Sequence, residues 1–265
     1  MTSAPADARD ILARLRTLTA EVGGEMVRLA DDLRTQTAKG EGHDVVTRAD
    51  RFSEERLTAA LAAWFPQHRV AGEEGTVLGP ADSDWTWHID PLDGTCNYSR
   101  GIPAWGISIG LAHRRQPVLG IIHAPTYGVT LTGAVGLGAW AEDLPLPQAT
   151  PAGPEKTWVV ATDWPWPLEQ RARTTRFIGF LEKRVRQYKT MGSAAIDLAN
   201  LALGRVDAYA ISHIFPWDQA GGCACARALG YELLTWDGGP WDLGRPDILA
   251  CRPGMAATLL QGLAG

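Results

Sequence analysis

The chain has 265 residues, with 30 Asp+Glu against 25 Lys+Arg and a formal net charge of -5. Hydrophobic content of 45% and charged content of 21% exclude wholesale disorder, and the length suffices for a sizeable buried core. The acidic balance excludes a nucleic-acid polymer as partner, since backbone binding needs a large positive footprint.

Residues 1–16 carry acids and no apolar segment, so no signal peptide is expected. No uninterrupted apolar run approaches about 18 residues, so no membrane span is expected either, and a cytoplasmic location follows as the expectation. The first predicted element is an amphipathic helix. Ile11, Leu15, Leu18, Val22, Met26, Leu29 and Leu33 recur at steps of three and four, and Gly23-Gly24 inside it predicts close packing or a mild kink. A polar stretch over 35–44 follows, then a helix over about 49–64 that ends before Pro66. A short strand over 69–71 leads into Gly72-Glu73-Glu74-Gly75. After a polar loop, a strand over 85–89 runs into Asp90-Pro91. Residues 105–140 read as a strand meander with turns at Arg115-Gln116, Thr126-Tyr127-Gly128 and Gly136.

The Pro-rich stretch over 144–154 is the best internal boundary. It divides one compact unit into an N-terminal α+β half, 1–145, and a C-terminal α/β half, 146–265, that closes the site. Beyond it the pattern predicts strands over 157–161, 185–188, 208–211, 231–235 and 248–251. Helices are predicted over 168–180, 193–203 and 217–229 and at the C-terminus. This order predicts layered sheets and helices, with the site between the halves.

Asp90-Pro91-Leu92-Asp93-Gly94-Thr95 carries the strongest chemical signal. Two carboxylates three residues apart across a strand-to-helix turn converge on one point, where left alone they repel and one takes up a proton. A hard divalent cation such as Mg²⁺ removes that penalty. Gly94 lets backbone approach closely, and N–H groups at a helix start favour phosphate. Together these describe a metal-dependent phosphoryl site.

Glu73-Glu74 and Asp218, in Trp217-Asp218-Gln219-Ala220-Gly221, accompany that motif, as do Asp44-Val45-Val46-Thr47-Arg48-Ala49-Asp50 and Gly192-Ser193-Ala194-Ala195. In this order the pieces resemble the inositol monophosphatase family of metal-dependent, lithium-sensitive phosphatases, along nearly the whole chain. The resemblance implies a layered α-β-α-β-α sandwich, an α+β fold. It implies that Glu73, Asp90 and the Leu92 carbonyl bind one metal, and that Asp90, Asp93 and Asp218 hold a second, with Asp90 bridging. A third, weaker metal is implied near Glu73. The Gly94 and Thr95 amides would hold the phosphate, with Gly192, Ser193 and Ala194 as further substrate contacts; Arg100 and His213, the latter five residues before Asp218, are candidate substrate contacts by position, His213 reading equally as a packed or solvated side chain. Thr95, with Asp50 behind it and Glu73 beside it, would orient a water activated by the metal and help to deprotonate it. Glu74 would support the ligands from behind. A homodimer is implied by the resemblance alone.

The sequence departs from the inositol-hydrolysing members on the substrate side. Ile211 stands where they carry an acid, Arg100 where the family often has His, and Gly75 where a small hydroxyl residue is usual. The polyol-reading wall is therefore altered while the metal machinery is intact. The expected activity is Mg²⁺-dependent hydrolysis of a phosphomonoester of a small soluble metabolite, with two or three Mg²⁺ per site. Inositol monophosphate leads; histidinol phosphate, other sugar or polyol phosphates and a 3′-phosphonucleotide follow.

Other readings compete. Six His residues form no H-x-x-x-H pair, and four Cys form no C-x-x-C pair, which argues against zinc and for reduced thiols. Ser193 lacks a nucleophile elbow. A haloacid-dehalogenase-type phosphatase would place its acids two residues apart rather than three, and a phospholigand-binding module without catalysis would retain the fold. Arg171, Arg173, Arg176, Lys183, Arg184, Arg186 and Lys189 read as a solvated helix face or as a funnel for phosphate. Among eleven Trp, those in the loops at Trp164-Pro165-Trp166, Trp236 and Trp241 serve either packing or an aromatic stack for a ligand ring.

Overall fold

A computed structural model of the chain describes residues 3–30, 36–39 and 44–263; Leu33 and His43 lie outside them. Helix α1 (Ala8–Leu29) buries the periodic face of Ile11, Leu15, Leu18, Val22 and Met26. It runs unbroken through Gly23-Gly24. A Cβ on Gly23 would sit 2.6 Å from the His123 ring, so this glycine serves close packing. Strands β1 (Gln36–Lys39) and β2 (Asp44–Thr47) pair antiparallel, in a stretch whose polar residues carry no alternation to announce it. Helix α2 (Arg48–Trp64) opens on a capping box: Thr47 accepts from the Asp50 N–H, and Asp50 accepts from the Thr47 N–H.

The next strands are β3 (Arg69–Gly72), β4 (Val77–Leu78) and β5 (Trp85–Asp93), followed by the short helix α3 (Thr95–Ser99). The meander comprises β6 (Gly106–His113), β7 (Gln116–Ala124), β8 (Val129–Ala134), β9 (Gly138–Ala141) and β10 (Leu144–Pro145). These strands form an eight-stranded sheet in the order β10-β9-β8-β7-β6-β5-β3-β4. Its strands run antiparallel apart from the parallel β3–β5 pair. Strand β5 continues past Ile89 to Asp93, with its register against β6 broken between Asp90 and Asp93. Where a turn was expected, an irregular strand end keeps both aspartates on the sheet.

A second sheet of five strands comprises β11 (Val159–Ala161), β12 (Gln187–Lys189), β13 (Ala208–Ile211), β14 (Glu232–Leu234) and β15 (Ile248–Cys251). Four more helices are α4 (Leu168–Leu181), α5 (Ala194–Ala202), α6 (Pro216–Ala228) and α7 (Ala256–Leu263).

Three apolar cores stack these elements. Leu15 and Leu57 of α1 and α2 pack with Trp87 and Ile109 on one face of the large sheet. Leu198 and Cys223 of α5 and α6 fill the space between the sheets, with Ile122 on one side and Tyr209 on the other. Phe177 and Leu259 of α4 and α7 cover the outer face of the small sheet with Leu249 and Trp236. The result is an α-β-α-β-α sandwich. Trp236 and Trp241 are buried, and Trp236 Nε1 donates to the Ile248 carbonyl at 3.0 Å, so of the two readings of these loop tryptophans packing holds. Among the described residues, no helix is long and apolar enough to cross a membrane.

A row of glycines sets the depth at which α6 lies. Gly110, Gly120 and Gly133 face one another across β6, β7 and β8. A Cβ on Gly110 would fall 2.4 Å from the Ala220 carbonyl carbon, one on Gly120 2.1 Å from the Gly221 oxygen, and one on Gly133 2.7 Å from the Cys225 Cα. Helix backbone therefore rests directly on sheet backbone. Gly120→Val should lift α6 and lower the unfolding free energy by about 3 kcal/mol in urea titration. Gly24→Ala, with nothing within 4 Å of the added carbon, should raise it by about 0.5–1 kcal/mol.

Candidate active site and metal centre

A cavity of about 660 Å³ opens where the end of β5 meets the start of α6. Every residue expected at the site lines it except Asp50 and Glu74, which stand behind its wall. Glu73, Asp90 and Asp218 come together there, with carboxylate oxygens within 4.8 Å of one another. Three elements supply them. The Glu73 N–H donates to the Ile89 carbonyl at 3.0 Å, which extends the β3–β5 pairing and brings Glu73 beside Asp90. The Leu92 N–H donates to Asp90 Oδ1 at 3.0 Å. In the first turn of α6, Asp218 Oδ2 accepts the Phe215 N–H at 3.0 Å.

Asp93 lies beside that trio, and its Oδ2 accepts the Ala195 N–H at the start of α5. Burial pushes the Asp90 carboxyl well above its ordinary value, and Glu73, Asp93 and Asp218 push it further. Burial and then Asp218 do the same to Asp93. Neither carboxylate is comfortable as an anion without a counter-charge. The donor set is oxygen throughout, buried and convergent, and it fits a hard divalent cation.

Behind the cluster, the Thr47 N–H and hydroxyl donate to Asp50 Oδ2 at 2.7 and 2.5 Å. The Thr95 hydroxyl lies 3.1 Å from Asp50 Oδ1 and 2.9 Å from the Leu92 carbonyl. Burial raises Asp50 to about 6, against the pull of its hydrogen bonds. Gly94 has φ +90°, and a Cβ there would lie 2.8 Å from the Ala104 carbonyl oxygen, so only glycine fits this turn. Ser193 caps α5 by accepting the Ile196 N–H at 3.3 Å. Arg100 is exposed and His213 half-buried at the cavity rim, where His213 meets the Phe215 ring edge-on at 5.2 Å.

Several supporting residues escaped sequence reasoning. Glu54 is 3% exposed; its Oε2 accepts the Glu74 N–H at 2.8 Å and its Oε1 the Thr76 N–H at 3.0 Å. It sits where a Cβ on Gly72 would go, 2.4 Å away, and so holds the Glu73-Glu74 loop in place. Its signal was its spacing, four residues after Asp50 and three before Leu57 on the buried face of α2. Asn97 Nδ2 donates to the Ala104 and Met191 carbonyls at 2.7 and 2.8 Å and ties α3 to the 190 loop. Asp163 Oδ1 accepts the Gly192 N–H at 2.8 Å. Asp197, fully buried in α5, has its carboxyl raised well above the ordinary value by burial and by Asp163. Nothing in sequence distinguishes Asp163 or Asp197 from surface acids.

Two outcomes follow. Burial and the neighbouring acids raise the Asp90 and Asp93 carboxyls well above the 3.8 of the unfolded chain, so metal-free protein should lose stability as pH rises above that value. Its melting temperature in chelator should fall between pH 5 and 8, and saturating Mg²⁺ should raise it most at pH 8. Glu54→Gln should weaken cation binding about tenfold in calorimetric titration.

Comparison with known proteins agrees with this geometry. The family model of the inositol monophosphatase family matches residues 7–264. An inositol-1-monophosphatase of Synechocystis is 33% identical over 263 residues, covering 98% of this chain and 91% of the relative. The Nus factor SuhB of Pasteurella multocida is 32% identical over 233 residues, covering 87% and 86%. Among solved structures, the extragenic suppressor protein SuhB of Bartonella henselae superposes with a TM-score of 0.88 at 26% identity, over 96% of this chain and 98% of that one. The chain belongs to the inositol monophosphatase family, phosphoric monoester hydrolases that depend on a divalent metal.

Proposed function

We propose that the protein is a Mg²⁺-dependent phosphomonoesterase that releases phosphate from a small soluble metabolite. One observation carries the reading: Glu73, Asp90 and Asp218 gather their oxygens within 4.8 Å at the floor of a cavity large enough for a phosphorylated small molecule. Inositol monophosphate, the substrate in the relatives' name, is the first to test. The reading extends, on family resemblance, to a cytoplasmic homodimer.

Glu73, Asp90 and the Leu92 carbonyl would hold one cation, Asp90, Asp93 and Asp218 a second, and the neighbourhood of Glu73 a third. Bound Mg²⁺ would offset the phosphate's charge, acidify a water and stabilise the leaving alkoxide. The Gly94 and Thr95 amides orient the phosphate, with Gly192, Ser193 and Ala194 opposite and Arg100 and His213 at the rim. Thr95 donates its hydroxyl proton to Asp50 Oδ1, which leaves its oxygen lone pairs to accept a proton from the attacking water. Glu73 faces the same water as the second acceptor. Glu74 supports Glu73 through its backbone tie to Glu54. No covalent phosphoenzyme forms, in contrast to the haloacid-dehalogenase mechanism.

Asp93→Asn and Asp218→Asn should each abolish Mg²⁺-dependent phosphate release while circular dichroism stays native; near-wild-type turnover in either would refute the metal assignment. Activity should fall as pH drops through about 6, where Asp50 takes up a proton and loses its acceptor role. An Asp50→Asn variant should be slow throughout and should lack that acid limb in a pH–rate profile.

A further inference from the structure

Besides the acids, the cavity is lined by aromatic side chains. Trp164 and Trp166 are 51% and 52% exposed and Phe215 is 41% exposed; among the described aromatic side chains only Tyr188, at 49%, is comparably open. Trp164, Trp166 and Phe215 line the cavity, together with Pro165, Ile211 and Ile214. Single exposed apolar residues need no explanation, but three rings turned into one cavity beside a phosphate site do.

The wall is held in advance of any ligand. Arg171 Nε of α4 donates to the Pro165 carbonyl at 3.0 Å, and its guanidinium lies 5.9 Å from the Trp164 ring centre. Phe215 is stacked on Trp217 at 5.1 Å with 14° between the planes. Asp163, next to Trp164, bonds the Gly192 N–H, so the base of the aromatic loop is tied to the proposed phosphate site. Fixed rings of this kind lose little freedom when another ring packs on them.

We propose that this wall binds a flat aromatic ring in the alcohol part of the substrate, so that the preferred phosphomonoester carries such a ring rather than a bare polyol. The inference rests on the phosphomonoesterase reading above. A flat ring gains offset or edge-on contact with indole and phenyl faces. A polyol turned to the same wall sets its hydroxyls against Ile211, Ile214 and ring carbons, where their bonds to water are lost and not replaced.

The test compares kcat/KM, in saturating Mg²⁺, for benzyl phosphate, cyclohexylmethyl phosphate and inositol 1-phosphate. The first two share ring size and leave as primary alkoxides of similar basicity, so they separate flatness from hydrophobic bulk. Benzyl phosphate should be preferred over both by about tenfold, the worth of one aromatic contact, and mainly through KM. In the Trp164→Leu, Trp166→Leu and Phe215→Leu variants the benzyl-to-cyclohexylmethyl ratio should fall towards one, a change that general loosening of the fold would not produce. Phosphate release with equal kcat/KM for the matched pair, or a higher value for inositol 1-phosphate, overturns the aromatic assignment and leaves the phosphatase reading standing. So does a ratio unaltered in all three variants. Absence of Mg²⁺-dependent release from all three compounds overturns both.

Discussion

Helix α6 lies on the eight-stranded sheet with backbone against backbone, and the rest of the site depends on that contact. Gly110, Gly120 and Gly133 leave no side chains between β6, β7, β8 and the helix. Gly221 does the same from the helix side, where an added carbon would meet Ser108 and Ile109, while Gly222 lets Leu198 of α5 approach α6 from elsewhere. Any larger residue in the row would raise the helix by a side-chain layer. Asp218, in its first turn, would then lift away from Asp90. The geometry of the acid cluster is set by the absence of side chains beneath it.

What the contact brings together is electrostatically unfavourable by itself. Two carboxylates about 5 Å apart repel by roughly 3 kcal/mol at an effective dielectric constant of 20, and burial adds its own penalty to each. The fold accepts this repulsion at one place and satisfies the surrounding backbone with Glu54, Asp50, Asn97 and Asp163. A net charge of -5 for the chain therefore says little about what the site attracts. Under the proposed function, cations held by these acids would set the local sign, and an anionic substrate would meet a neutral or positive floor.

The acids and the exposed rings of the cavity come largely from different parts of the chain. Acids and glycine turns from β3, β5, α3 and α6 supply the proposed phosphate site. Trp164 and Trp166 come from the segment after β11, braced by α4, and Phe215 from the residue before α6. Of the basic segment over 168–190, Arg171 braces the aromatic loop, Arg173 lies 3.8 Å from Asp247 and Arg184 3.8 Å from Glu155. Chemistry and substrate choice can thus vary independently within one scaffold.

The sequence by itself determined the layered class of the fold, most of the elements and the identity of the acids. Hydrophobic period, proline and glycine positions and the Asp-x-x-Asp-Gly-Thr spacing are local properties, legible within a few residues. Strands over 208–211 and 248–251 were readable to the residue. The β1–β2 ribbon was not, because its polar residues lack alternation, and neither was the continuation of β5 through Asp93, which a proline disguised as a turn. Only the tertiary structure decided that Asp93 accepts the Ala195 N–H, that Glu54 braces the Glu73 loop, and that Trp236 is core while Trp164 faces the cavity. Each of these rests on pairings between residues distant in the chain, and burial is a property of such pairings. A tryptophan or a glutamate reads the same in sequence whether its neighbours in space are water or backbone.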